Sequence, residues 1–240
     1  MYESDAQSMM FSLAYPPESG SPVGARCACP FGKNKILIGR SDGKIMAYTL
    51  PAFSTTKADI MDCGHTPLTD IATDAEMQQI VSCDDTGMIA LWNVGNNSVN
   101  LLSKAKVGKT WPCTGVQFWN GFIIVASANG VVNVFDSRDL SPCFEIFAHF
   151  RTLTSFDVLP CSPSLALLLT ASEDTTFRVF AVRMKEDDSL DIEQVAEGTY
   201  PNQFICGARF LESKTQQEIR VALSSYECSN VAIFKCKLSP

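Results

Sequence analysis

Ile80-Val81-Ser82-Cys83-Asp84-Asp85-Thr86-Gly87, with Trp92 five residues beyond, is the stretch that decides the fold of this chain. A short apolar run enters a turn rich in Asp and Gly, and a second run then leads to an aromatic residue. Short apolar or alternating runs bounded by turn formers read as strands joined in a hairpin. The pattern occurs four more times. Ile36-Leu37-Ile38-Gly39-Arg40-Ser41-Asp42-Gly43 leads to Tyr48, and Ile123-Ile124-Val125-Ala126-Ser127-Ala128-Asn129-Gly130 leads to Phe135. Leu167-Leu168-Leu169-Thr170-Ala171-Ser172-Glu173-Asp174 leads to Phe180, and Arg220-Val221-Ala222-Leu223-Ser224-Ser225-Tyr226 leads to Phe234. The terminal aromatics are spaced by 44, 43, 45 and 54 residues.

A period near 40 to 45 residues with four strand-like runs per copy is the spacing of a propeller blade, and no amphipathic helical segment competes with it. The expected fold is therefore all-β, a β-propeller of four-stranded antiparallel blades with about five blades in this chain. The approximate blade limits are 22–62, 63–109, 110–149, 150–203 and 204–240 within one domain spanning 1–240. Residues 8–15 read as an outer strand of a preceding or closing blade.

Composition narrows the function. With 19 Lys plus Arg against 26 Asp plus Glu, the net charge is −7, and no basic cluster offers a surface for phosphates, so nucleic acid is not an expected partner. The longest apolar runs, such as Leu165 to Leu169, are far too short to span a bilayer, so no membrane span is expected. The acidic opening Met1-Tyr2-Glu3-Ser4-Asp5 is unlike a secretory leader. Ten Cys without a Cys-x-x-Cys pair, beside two His, read as reduced thiols in a cytoplasmic protein; no metal and no cofactor is expected.

The second copy resembles the WD-repeat family on specific residues: Gly64-His65, Ser82, Asp84 or Asp85, and Trp92 stand in that family's order. The same ten-residue offset that separates Ser82 from Trp92 pairs Thr170 with Phe180 and Ser224 with Phe234. The resemblance implies structural hydrogen-bond networks, here His65, Ser82, Asp85 and Trp92 in the second blade and His149, Thr170 and Asp174 in the fourth. In the fourth blade Phe180 cannot donate the hydrogen bond of an indole, which shortens that network; the first, third and fifth blades lack the His, and Ile38 and Val125 stand where the hydroxyl is expected, so those three rely on apolar packing. His65, Ser82 and Asp85 could be mistaken for a catalytic triad, but such a triad needs an exposed hydroxyl beside an oxyanion hole.

Four further stretches, Met1 to Ser4, Leu68 to Thr73, Ser172 to Thr175 and Cys206 to Phe210, resemble one branch of that family. The branch implies a seven-bladed ring in the intact protein and no known enzymatic activity. Two arrangements stay open: a closed five-blade ring completed by residues 8–15, or an arc of a larger ring. The family resemblance implies a non-enzymatic scaffold or adaptor whose partners are other proteins or peptides; the alternative is a small-ligand-binding or enzymatic propeller. The face the family most often uses carries Arg40, Lys109, Trp111 and Arg151 in this sequence. Arg183 to Glu193, with five acidic residues, accounts for the long last step and reads as an extended hairpin with a solvated acidic turn.

Overall fold

The computed structural model describes residues 23–50, 60–64, 66–95, 98–108, 111–187, 189–212 and 218–237. Among these the chain forms strands and turns without a helix. The first sheet contains β1 (Ala25–Phe31), β2 (Lys35–Arg40), β3 (Lys44–Thr49) and β4 (Ile60–Asp62). The second contains β5 (Leu68–Thr73), β6 (Gln79–Asp84), β7 (Met88–Val94) and β8 (Val99–Lys106), and the third β9 (Cys113–Trp119), β10 (Phe122–Ser127), β11 (Val131–Asp136) and β12 (Pro142–Phe147). The fourth contains β13 (Leu153–Ser162), β14 (Leu165–Ser172), β15 (Thr176–Met184) and β16 (Leu190–Thr199). The fifth has three described strands, β17 (Ile205–Leu211), β18 (Glu218–Ser225) and β19 (Val231–Lys237). Each sheet is an antiparallel meander in chain order, the propeller-blade arrangement.

Burial explains the strand patterns. The second strand of a sheet is covered on both faces, so β10, Phe-Ile-Ile-Val-Ala-Ser, is buried throughout and reads as a continuous apolar run. The fourth strand lies outermost, so β8 and β12 are mostly exposed. First strands lie innermost and pack in series: β1 against β5, β5 against β9, β9 against β13 and β13 against β17. Apolar clusters fill each space between consecutive sheets, as Val81, Leu91, Val116 and Val125 do between the second and third. At roughly 25 cal/mol per Å² of apolar surface, these layers are the main stabilising term of the fold.

The fifth sheet breaks the pattern on one face. Val231 and Ile233 are 63% and 54% exposed, whereas Ile89, Leu91, Val132, Val134, Phe177 and Val179, at the same registers of other sheets, are buried. Those residues each face a following sheet. Nothing among the described residues follows the fifth, and β17 does not pack on β1 as neighbouring first strands do. The described sheets therefore form an arc without a closed ring. The strand expected at 8–15 lies outside the described residues.

Two readings of the sequence change in detail. The long last step is taken up in part by extended strands, since β15 has 9 residues and β16 has 10, and in part by β18, with 8 residues, and the longer turn after it. Ser224 does not occupy the hydroxyl position of the fifth sheet. Leu223 pairs with Ala208 as Ser82 pairs with Ile71, while Ser224 is exposed. The turn after β18 is one residue longer than its counterparts, and a one-residue slip sends a strand side chain to the other face.

Candidate functional site

His149 follows the outer strand of the third sheet and reaches into the fourth. Its Nε2 lies 2.9 Å from Thr170 Oγ1 and its Nδ1 lies 3.0 Å from Asp174 Oδ2. Asp174 in turn accepts hydrogen bonds through Oδ1 from the Thr176 hydroxyl and backbone N–H. Burial would raise the Asp174 carboxyl, but the donors from Thr176 and His149 outweigh it and hold the carboxyl below its usual range. For His149, burial disfavours the imidazolium more than Asp174 favours it, so its pKa falls and the ring is neutral near pH 7. Beside it, Arg178 donates to the Ala148 carbonyl, a second tie between the two sheets.

The second sheet reaches a comparable result with different residues. Trp92 Nε1 donates to Ser82 Oγ at 3.3 Å, and Cys63 Sγ lies 3.5 Å from the same hydroxyl. The turn carboxylate is Asp84, which accepts from Thr66 Oγ1 at 2.6 Å and from Thr86 and Met88 N–H groups. Asp85, the residue expected there, contributes among the described residues its backbone N–H, to the Pro67 carbonyl. The physical reason is register: Asp84 ends β6 with its side chain turned inward, and the next residue projects the other way. His65 lies outside the described residues. Burial pushes the Cys63 thiol up to about 11, so at neutral pH it is an uncharged packing group.

A third set of polar contacts gave no sequence signal. Along the innermost strands, Asp70 Oδ2 accepts from Val116 N at 2.9 Å, Gln117 Oε1 from Val158 N at 3.1 Å, and Asp157 Oδ2 from Phe210 N at 2.9 Å. Each side chain satisfies an N–H on the open edge of the next sheet, which would otherwise be an exposed pairing template.

One rim of the arc is defined by a repeated backbone bond. The carbonyl just before each first strand accepts from the N–H just after the second strand, in the pairs Gly24–Ser41, Pro67–Asp85, Pro112–Ala128, Thr152–Glu173 and Phe204–Tyr226. Residues at these junctions therefore share a rim. Trp111, Phe150, Phe204 and Tyr226 stand there 53%, 96%, 47% and 65% exposed, with Arg151 exposed between them. Phe204 and Tyr226 were not singled out in the sequence; their place on the rim is set by the bond from the Tyr226 N–H to the Phe204 carbonyl.

Arg40, expected on this surface, is not available to a partner. It is 4% exposed, its Nη2 donates to Asp42 Oδ2 at 2.6 Å, and its Nη1 points at Met46 Sδ at 2.8 Å. Arg40 ends β2 at the register of Asp84 in β6, so its side chain turns inward and is held by the Asp42 pair. Lys109 lies outside the described residues. Chemically, the His149 ring has both nitrogens engaged and is buried, and Ser82 is buried under Trp92, so neither presents an accessible base or nucleophile. No helix among the described residues is long and apolar enough to cross a membrane.

Comparison with known proteins gives a consistent result. The WDR54 family matches residues 1–236. WD repeat domain 54 of Rattus norvegicus is 31% identical over 222 residues, covering 88% of this chain and 65% of that protein. WD repeat-containing protein 54 of Mus musculus is 30% identical with the same coverage, and that of Homo sapiens is 28% identical over 98% of this chain and 71% of its own length. The chain thus spans 65% of the length of the rat and mouse relatives.

Proposed function

The chain belongs to the WDR54 family of WD-repeat proteins, and from that premise we propose that it is a non-enzymatic scaffold or adaptor that binds proteins or peptides through the rim bearing Trp111, Phe150, Arg151, Phe204 and Tyr226. The observation that carries this reading is the grouping of four exposed aromatic residues on junctions that successive sheets hold in one orientation. Large rigid aromatics lose little conformational entropy on binding and are enriched where interfaces concentrate their energy. A stiff β scaffold fixes the loops that carry them, which lowers the cost of ordering on association.

The polar networks support the same reading. His149, Thr170, Asp174, Ser82 and Trp92 hold sheets and turns in place, and such buried groups act by satisfying one another. All ten cysteines are free thiols, which fits a reducing compartment such as the cytosol. Capture of the protein through a carboxy-terminal tag, with chemical cross-linking and mass spectrometry, tests the proposal. Stoichiometric protein partners cross-linked near the third, fourth and fifth junctions support it. A bait recovered without protein partners, or with a small molecule alone, overturns it.

A further inference from the structure

We propose that the opposite rim is a docking groove for a peptide segment that carries Lys or Arg beside an apolar side chain. This rim holds the turns from first to second strands and from third to fourth. Two clefts of about 590 Å³ and about 400 Å³ open on it, one on each side of the Asn120–Gly121 turn. That turn is a two-residue hairpin with φ of 45° and 81°, the geometry Asn-Gly adopts most readily. Asn120 Nδ2 donates to the Pro163 carbonyl at 2.7 Å, pinning the turn to the fourth sheet.

The floor of each cleft is mostly apolar. Trp119 lines the larger cleft and Phe122 the smaller, and their rings stack at 6.2 Å across the turn. Pro160 and Pro163 extend the floor on one side, Phe144 and Leu190 on the other. Two adjacent, open lobes that share the Asn120–Gly121 turn suit an extended segment better than a compact small molecule, which binds where most of its surface is enclosed.

The charged residues set the sign of the ligand. The charged side chains lining the larger cleft are Asp74 and Glu76, both acidic. In the smaller, Asp136 and Arg138 neutralise each other at 2.5 Å. The adjoining turn adds Glu186 and Asp187 beside Lys185. A second copy would bring an identical acidic rim to this one in a two-fold contact, so like charge opposes self-association here. Phosphate-rich ligands are opposed for the same reason. A cationic segment with an apolar anchor complements both the floor and the acids.

The groove and the aromatic rim are separate surfaces, and the test keeps them apart. The probe is a fluorescent twelve-residue peptide alternating Lys with Leu and Phe, compared by anisotropy with the same peptide carrying Glu for Lys. The Lys peptide binds, the Glu peptide does not, and hydrogen exchange at 118–122 slows on binding. Combining Asp74→Asn with Glu76→Gln weakens binding about five-fold, two partly exposed charge pairs being lost. Phe144→Ala weakens it as well, whereas Trp111→Ala leaves it unchanged. Equal binding of the two peptides, unchanged affinity in the Asp74→Asn, Glu76→Gln variant, or protection of 118–122 by self-association without peptide would each overturn the proposal.

Discussion

His149 Nε2 sits 2.9 Å from Thr170 Oγ1, so one imidazole ties the end of the third sheet to the second strand of the fourth. Because burial depresses the His149 pKa, unfolding lets the ring take up a proton. The unfolded state then binds more protons than the native state below about pH 6.5, and stability falls as pH drops through that region. Asp174 is also depressed, so its contribution is present above its unfolded value and is lost only in stronger acid, below about pH 4. Thermal melting from pH 7.5 to 5 is expected to show a decline in the wild type that is flatter in His149→Gln. Parallel slopes in the two proteins would refute the assignment.

Asp84 and Asp85 separate a buried network from a neighbouring surface charge. Asp84→Ala leaves Thr66 Oγ1, Thr86 N and Met88 N without their acceptor, and a loss of about 2–4 kcal/mol is expected. Asp85→Ala is expected to stay within about 0.5 kcal/mol. Urea unfolding of the two variants measures the difference directly.

Trp92→Phe tests whether the indole hydrogen bond matters beyond packing. The aromatic contact with the second sheet is largely kept while the donor to Ser82 is removed, so a loss of about 1–3 kcal/mol is expected. Ser82 keeps its contact with Cys63, which limits the cost. A loss above about 4 kcal/mol would show that packing, not the donor, dominates at this site.

Thr175 stands where the matching hairpins carry Gly43, Gly87 and Gly130, and it shares their left-handed backbone with φ of 69°. Its carbonyl accepts from Tyr200 N as those glycines accept from the following junctions. A β-branched residue is strained in this conformation. Thr175→Gly is therefore expected to raise stability by about 1 kcal/mol, read as an increase in Tm, and a decrease would mean that the Thr side chain contributes packing that offsets the strain.

The fold class was legible because the repeat keeps its strand spacing: Tyr48, Trp92, Phe135 and Phe180 recur at nearly constant intervals. His149, Thr170 and Asp174 were legible as a set because a rare residue type stood before a hydroxyl and a turn carboxylate in the same order as in the second copy. Ser224 was misplaced because one extra turn residue shifts strand parity without disturbing the apolar pattern. Arg40 misled because an Arg near a turn reads as surface, and only the sheet register shows it folding back onto Asp42. The side-chain ties from Asp70, Gln117 and Asp157 join residues from different sheets, and no local sequence pattern encodes such contacts.

The rim of exposed aromatics is the centre of the functional account, and the combined variant Trp111→Ala, Phe150→Ala, Tyr226→Ala tests it most directly. The measurement is quantitative affinity capture of the variant and the wild type at matched abundance, with melting curves for both. The account predicts that partner recovery falls at least about ten-fold, as expected when anchoring aromatics are truncated, while Tm stays within about 2 °C. Full retention of every partner by a variant that remains folded would contradict it.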